Sequence, residues 1–314
     1  PPLWELGHVA WFEEWWIARN PQRLAGCSAE PEVARAAALL PGADELYHSS
    51  RVSHTRRWHL ALPDERRSLA YAERSRERTV ALLAAAPETD DGLYFFRLAL
   101  HHEAMHREAW VYMAQTLGIA LTNAPAPAPA AAEGEWTIAA HTHRLGHEGP
   151  GFAFDNELGA HDVALEAFTI DRAPVSWARF LPFVEAGGYD QREHWSDAGW
   201  AWRQQHGKAR PLHLRAGDDE LPGWHVARFG QWQPLDPAGP ALHLTLHEAQ
   251  AWCHWAGRRL PTEAEWEAAA VRAAAEGESF DWGSVWEWTA SAFAPYPGFT
   301  PHPYRDYSQP WFDG

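Results

Sequence analysis

Residues 123–135 read NAPAPAPAAAEGE, and no regular element can run through them. Proline at every second position removes amide donors and fixes φ near −65°, which forbids both a helix interior and a sheet ladder. Such a tract is a semi-rigid spacer in extended polyproline geometry. It divides the 314 residues into two stretches, 1–122 and 136–314, each of ordinary domain size (~100–200 residues).

The two stretches differ in character. Residues 1–122 are rich in Leu, Ala, Arg and Glu and read as helical. Pro1-Pro2 suits a helix start, and Trp4, His8, Trp11 and Trp15 then form one stripe. The spacing predicts a second helix over 63–86, carrying Leu69, Tyr71, Val80, Leu82 and Leu83. A third starts behind Thr89-Asp90-Asp91, which can cap it, and stops at Gly118. A shorter helix is expected over 31–40. The pattern is that of an antiparallel helix bundle whose first helix is missing or separately encoded. Residues 136–314 are rich in Gly, Pro and Trp. Strand-like pieces at Trp136–Ile138, Ala164–Ile170 and Ala241–Thr245, with helical pieces at Ser176–Ala186 and Leu246–Ala256, predict an α+β domain with much irregular structure.

Composition excludes some partners. Lys+Arg number 26 against 42 Asp+Glu, a net charge of −16. Nucleic acid and anionic membranes demand a basic surface, so neither is expected as a partner. No apolar run reaches the ~18 residues of a membrane span. The opening PPLWELGHVAWF lacks the basic start and smooth apolar run of a secretory signal. The two cysteines, Cys27 and Cys253, make no disulfide framework, which fits a reducing cytoplasm. The 20 tryptophans and 19 histidines are unusual, and the histidines invite a search for a metal site.

That search leads to HHEAMHREAW, residues 101–110. His102, Glu103 and His106 spell H-E-x-x-H, the signature of a zinc protease helix. A protease needs Glu103 as general base and a third ligand downstream. The following REAWVYMAQTLG offers no histidine, and Glu108 comes too soon. His8, upstream, interrupts an aromatic stripe just as His102 and His106 interrupt an apolar one. A buried imidazole without a partner costs ~1–3 kcal/mol. Three of them on two packed helices therefore favour a metal site over three separately satisfied core histidines. Three protein ligands leave coordination positions open, as catalytic metals require. Zn, Fe, Cu and Ni all accept such a set. Glu103 and Glu108 either orient a ligating imidazole or are solvated helix charges. His101, ~100° round the helix, is a packing residue or one that supports a ligand from behind.

With these residues in view, both halves resemble a known family. LWELGHVAWFEEWW with ALHHEAMHREA resembles the DinB-like four-helix bundle of the iron-dependent sulfoxide synthases of ergothioneine biosynthesis. FDNELGAHDV (154–163), AGGY (186–189), WAGRRLPTEAEWE (255–267) and GSVWEWTASAFAPYPGF (283–299) resemble their C-type-lectin-like domain of formylglycine-generating-enzyme type. The resemblance implies a DinB-like iron-binding domain over 1–122, the linker 123–135, and a formylglycine-generating-enzyme-like domain over 136–314. The family's closing R-G-G-S-W and G-F-R region is not found, so that domain is expected to be truncated. The resemblance also implies Fe(II) on His8, His102 and His106, O2 as co-substrate, and hercynine (trimethylhistidine) as substrate. PPLWELGHVAWFEEWW, DDGLYFFRLALHHEAMH and VYMAQTLGI look most like the branch that joins hercynine to a selenosugar. The other branch uses a thiol such as γ-glutamylcysteine.

The family's Y-x-x-Y is matched by Tyr304 and Tyr307. Tyr304 corresponds to the tyrosine that delivers a proton, and an ordinary phenol, pKa ≈ 10, carries one at neutral pH. Tyr307 corresponds to a residue shaping the hercynine pocket. Met105 stands where the ergothioneine branch can place a substrate-contacting glutamine; a polarizable thioether suits a chalcogen neighbour, and equally a helix packing position. G-S-V-W-E-W at 283–288 departs from G-N-V-W-E-W and puts a calcium role of that loop in doubt, with Trp286 and Trp288 expected in the core. The cysteine pair of formylglycine-generating enzymes is absent. A peptide thiol carries carboxylates and wants paired arginines; Arg74, Arg76 and Arg78 offer them, or are solvated. A lectin-like binding protein with a structural zinc is the non-catalytic alternative.

Overall fold

The structure is a computed structural model and describes residues 1–124 and 134–313. Most of the proline tract, 125–133, lies outside the described residues. Four α-helices occupy the N-terminal stretch: α1 (Pro2–Glu13), α2 (Ala43–Tyr47), α3 (Glu65–Leu83) and α4 (Asp90–Leu117). Then follow β1 (Glu135–Ile138), β2 (His141–Leu145), β3 (His161–Leu165), β4 (Phe168–Asp171), α5 (Trp177–Glu185) and α6 (Asp197–His206). The series closes with β5 (Leu214–Ala216), β6 (Trp224–Arg228), β7 (Gln231–Pro234), α7 (Leu246–Trp255) and α8 (Glu263–Glu276).

The chain divides into two compact units. The first contains Pro1–Met113, Gly146–Ala160 and Phe293–Gly314. The second contains Ala114–Leu145 and His161–Ala292. The first unit is therefore built from three separate passes of the chain, and two of them come from beyond the proline tract.

Within the first unit, α1 packs on α3, and the stripe predicted for it is buried at Trp4, His8 and Trp11. Glu14–Ala18 continue α1 as a π-helical turn. Gly7 is needed there, because a Cβ would sit 2.2 Å from the Tyr47 ring. That close approach lays α2 on α1. Asp64 caps α3 by accepting from the Arg67 amide, and the Thr89 hydroxyl accepts from Gly92 N at the start of α4. Gly118 ends α4 at φ +66°, the left-handed stop glycine makes cheaply. The core combines Trp4, Trp11, Phe12, Trp16, Tyr47, Tyr71, Phe95 and Leu98, with Phe152, Phe154 and Tyr304 packed against it.

The helix expected over 31–40 does not form. Ala36 N donates to Arg19 O, Arg19 Nε donates to Ala36 O, and Leu39 N donates to Glu14 Oε1. These bonds hold the segment extended along the end of the first helix, which overrides its alanine-rich helix propensity.

In the second unit β1 pairs with β4, β2 with β3, and β5–β6–β7 form a meander, all antiparallel. The strand expected over 164–170 is two strands, and 241–245 is not a strand. His243 there has φ +62°, which breaks an extended run, and Thr245 instead caps α7. The predicted helical pieces are α5 and α7. A core of Trp177, Phe180, Phe183, Tyr189, Trp195 and Trp252 lies between them. Trp286 and Trp288, expected in the core, are 87% and 49% exposed, because residues 283–288 form an irregular loop. No helix among the described residues is long and apolar enough to cross a membrane.

Candidate metal centre

Within the first unit, α1 and α4 bring His8, His102 and His106 together, with one ring nitrogen of each within 4.8 Å of the others. It is the one such cluster of three potential metal ligands among the described residues. Helical spacing explains it. His102 and His106 lie one turn apart on α4, and His8 faces them from the buried stripe of α1.

Each imidazole is held differently. His8 Nδ1 donates to Tyr47 O at 2.8 Å, so the contact that Gly7 permits also fixes this ring and leaves Nε2 for the centre. Trp4 stacks on the same ring, centroids 4.6 Å apart and planes at 11°. Phe12 stacks on His102 at 3.5 Å and 5°. His106 Nδ1 donates to Glu5 Oε2 at 2.5 Å, and Glu5 is itself buried. His102 Nε2 and His106 Nε2 stand 3.2 Å apart, while the buried His102 Nδ1 has no partner. Burial, reinforced by the neighbouring imidazole of His106, holds His8 down at about 3. Burial likewise pushes His102 well below its ordinary value, helped by His8 and His106. Both are neutral at physiological pH, the form that binds a metal.

The C-terminal pass adds the two tyrosines. Tyr304 meets Phe12 edge-on at 4.9 Å and His102 at 6.1 Å. Burial, then Asp306, raises its phenol above the ordinary value, and a hydrogen bond with Ser49 opposes the rise. Tyr307 stacks on Phe154 at 3.8 Å and is pushed up to about 12, chiefly by burial. Both phenols keep their protons at neutral pH. Met105 is half-buried on α4 beside His106. His101 stacks on Phe152 at 4.9 Å and is a packing residue.

Glu103 faces Arg76 at 3.4 Å on the surface, and Glu108 is exposed. Glu5 escaped the sequence reading, although its signal was there: a carboxylate three residues before His8 falls on the same helix face. Arg74, Arg76 and Arg78 are exposed on α3, and Arg78 approaches Glu14 at 3.7 Å.

The family model of the sulfatase-modifying factor enzyme 1-like domain matches residues 123–292. The hercynine oxygenase of Mycolicibacterium thermoresistibile is 31% identical over an alignment covering all of this chain and 77% of the relative. That of Mycolicibacterium smegmatis is 32% identical, over all of this chain and 80% of the relative. The formylglycine-generating enzyme of Streptomyces coelicolor is 33% identical over 51% of this chain and 53% of its own length. Helical histidine cluster and matched domain thus occur in one chain that aligns over its whole length with these oxygenases, and the protein belongs to the hercynine oxygenase family, ergothioneine-sulfoxide-synthase-like proteins with a sulfatase-modifying factor enzyme 1-like domain.

Proposed function

We propose that the protein is a non-haem Fe(II), O2-dependent synthase that joins hercynine to a selenosugar through a C–Se bond. The observation that carries this reading is the convergence of three imidazoles beside a protonated tyrosine. The donor set fits the metal: three imidazole nitrogens meet in one place, and two of the rings have their other nitrogen tied to an acceptor. Fe(II) bound there would supply the electrons that activate O2.

In this reading residues 1–122 are the DinB-like bundle that provides His8, His102 and His106. Residues 136–314 provide Tyr304 and Tyr307. Glu5 orients His106, as carboxylates behind ligating imidazoles do. Tyr304 holds a proton at its phenol oxygen next to the centre and delivers it. Tyr307 and Met105 shape the hercynine pocket. Joining an imidazole C–H to a selenol releases two electrons and two protons, and O2 is the oxidant that takes them up. A peptide thiol wants paired arginines, and Arg76 and Arg78 on α3 already face Glu103 and Glu14, which supports the selenium donor over the thiol. A half-buried methionine next to His106 suits a polarizable neighbour.

The test supplies anaerobic Fe(II)-loaded protein with hercynine, then O2 with either a selenosugar or γ-glutamylcysteine, and weighs the products by mass spectrometry. The expected product carries selenium on the imidazole. A sulfur product alone moves the protein to the thiol branch. Hercynine unchanged with both donors overturns the synthase reading.

A further inference from the structure

Tyr304 and Tyr307 sit on a short irregular segment, His302–Ser308, with no helix or strand to hold them. A side chain in such a segment keeps its place only if the backbone around it is tied down. Both ends of this one are tied to a single carboxylate. Asp155, in the short helical turn Asp155–Glu157, accepts from His302 N through Oδ2 at 3.2 Å and from Ser308 Oγ through Oδ1 at 2.6 Å. Asp155 is 2% exposed and Ser308 is fully buried. The flanking residue Phe154 is the one stacked on Tyr307, and its own amide is held by Glu157 Oε2 at 2.7 Å. The His302 ring is fixed in turn by a hydrogen bond between its Nδ1 and Tyr94 OH on α4 at 3.0 Å.

We propose that Asp155 is a positioning residue for the reaction, a buried staple that closes His302–Ser308 into one loop and thereby fixes Tyr304 against the three histidines. This rests on the reading of Tyr304 as the proton donor. Asp is suited to the task because an ionised carboxylate is acceptor-only and has capacity for both donors. Charge-assisted bonds in a buried place are also the strong ones. Removing the carboxylate takes the acceptor from a half-buried amide and a buried hydroxyl, and the loop relaxes. A misplacement of about 1 Å at a reacting group can cost roughly 10²-fold in rate.

The experiment compares Asp155→Ala, Asp155→Asn and Ser308→Ala in the full chain, each alone and with Tyr304→Phe. Asparagine can still accept from His302 N and donate to Ser308 Oγ, so it is the conservative rescue. The first readout is hydrogen exchange of the amides across 302–308, which needs no activity. Exchange there should rise on Asp155→Ala, rise less on Ser308→Ala and stay near wild type on Asp155→Asn, while α1 and α4 remain unchanged. The second is turnover of hercynine. Asp155→Ala should lower kcat about 10–100-fold, with KM changed less than about threefold and iron content intact. In the Tyr304→Phe background it should add almost nothing, because two changes that act through one group are not additive.

Equal exchange in Asp155→Ala and wild type overturns the proposal. So does a further loss of rate beyond Tyr304→Phe, which would mark general damage. Should Asp155→Ala fail to fold, Ser308→Ala decides by the same two readouts. A protein that turns over nothing while the exchange pattern appears as expected sinks the functional reading and leaves the staple standing.

Discussion

Each unit of the molecule hides a glutamate, and the two are satisfied alike. In the first unit Glu14 is fully buried; it accepts from Tyr71 OH at 2.7 Å and from Leu39 N at 2.7 Å. In the second Glu248, 2% exposed, accepts from Tyr189 OH at 2.6 Å and from Thr245 N at 2.8 Å. Each carboxylate accepts from a backbone amide and from a tyrosine held in the core, so neither is left wanting a partner. The histidine cluster differs. His102 is equally buried, yet one of its nitrogens has no partner and the other faces a second imidazole nitrogen. Burial of a polar group therefore does not mark a site here. Incomplete satisfaction, on residues that can all ligate, does.

The sharpest way to break this contrast is His102→Ala. It should abolish stoichiometric iron binding and turnover and leave a folded protein whose melting temperature is lowered by the cavity beside Phe12. Metal analysis and a thermal melt check both halves. Retained iron with retained turnover would remove the site. Glu5→Gln should act more mildly. Glutamine can accept the His106 Nδ1 proton but brings no charge, so iron affinity should fall about 10–100-fold, as for other residues that orient ligands. Chelator competition measures it, and an unchanged affinity would demote Glu5 to a packing role.

What was legible in the sequence follows from where the interactions lie. The courses of α1, α3 and α4 could be read because their apolar period and caps are local. The histidine pair on α4 was legible for the same reason, being one turn apart. Residues 31–40 were not, since ARAAALL has helical composition and the groups that hold it extended, Arg19 and Glu14 among them, are distant in sequence. Residues 241–245 alternate like a strand, but the left-handed backbone of His243 is invisible in the letters. Helix α8 carries a full capping box, Thr262 with Glu265, a local signal of the same kind as those caps. Tyr304 was found only through family resemblance. No local pattern shows that a residue 202 positions beyond His102 returns to it, nor that Asp155 meets both ends of its segment.

Within the satisfied class, Tyr71→Phe and Tyr189→Phe should behave as a pair. Each removes one donor from a buried carboxylate and should cost about 1–3 kcal/mol, read by denaturant unfolding, with iron content unchanged in both. A loss of iron in Tyr71→Phe but not in Tyr189→Phe would show that the Glu14 network supports the centre after all.

The smallest expected effect tests whether a carboxylate paired with an exposed arginine obeys the same rule. Glu265 accepts from both terminal nitrogens of Arg259, at 2.6 and 2.7 Å, and from Thr262 N at 2.8 Å. The Arg259 hydrogen bonds hold its carboxyl below the ordinary range, against the opposing pull of burial. A depressed folded value means that the stabilisation is present above the unfolded pKa, near 4.5. It is lost as pH falls through the lower folded value. Arg259 is 62% exposed, so solvent screening limits the pair to about 1 kcal/mol or less. Glu265→Gln keeps the capping geometry and removes the charge. Its stability should trail wild type by that amount at pH 7, and the gap should close as pH drops below 4. A gap that persists unchanged at low pH would place the loss in the cap rather than in the ion pair. Glu265 would then join Glu14 and Glu248 as a backbone-satisfying carboxylate whose charge is incidental.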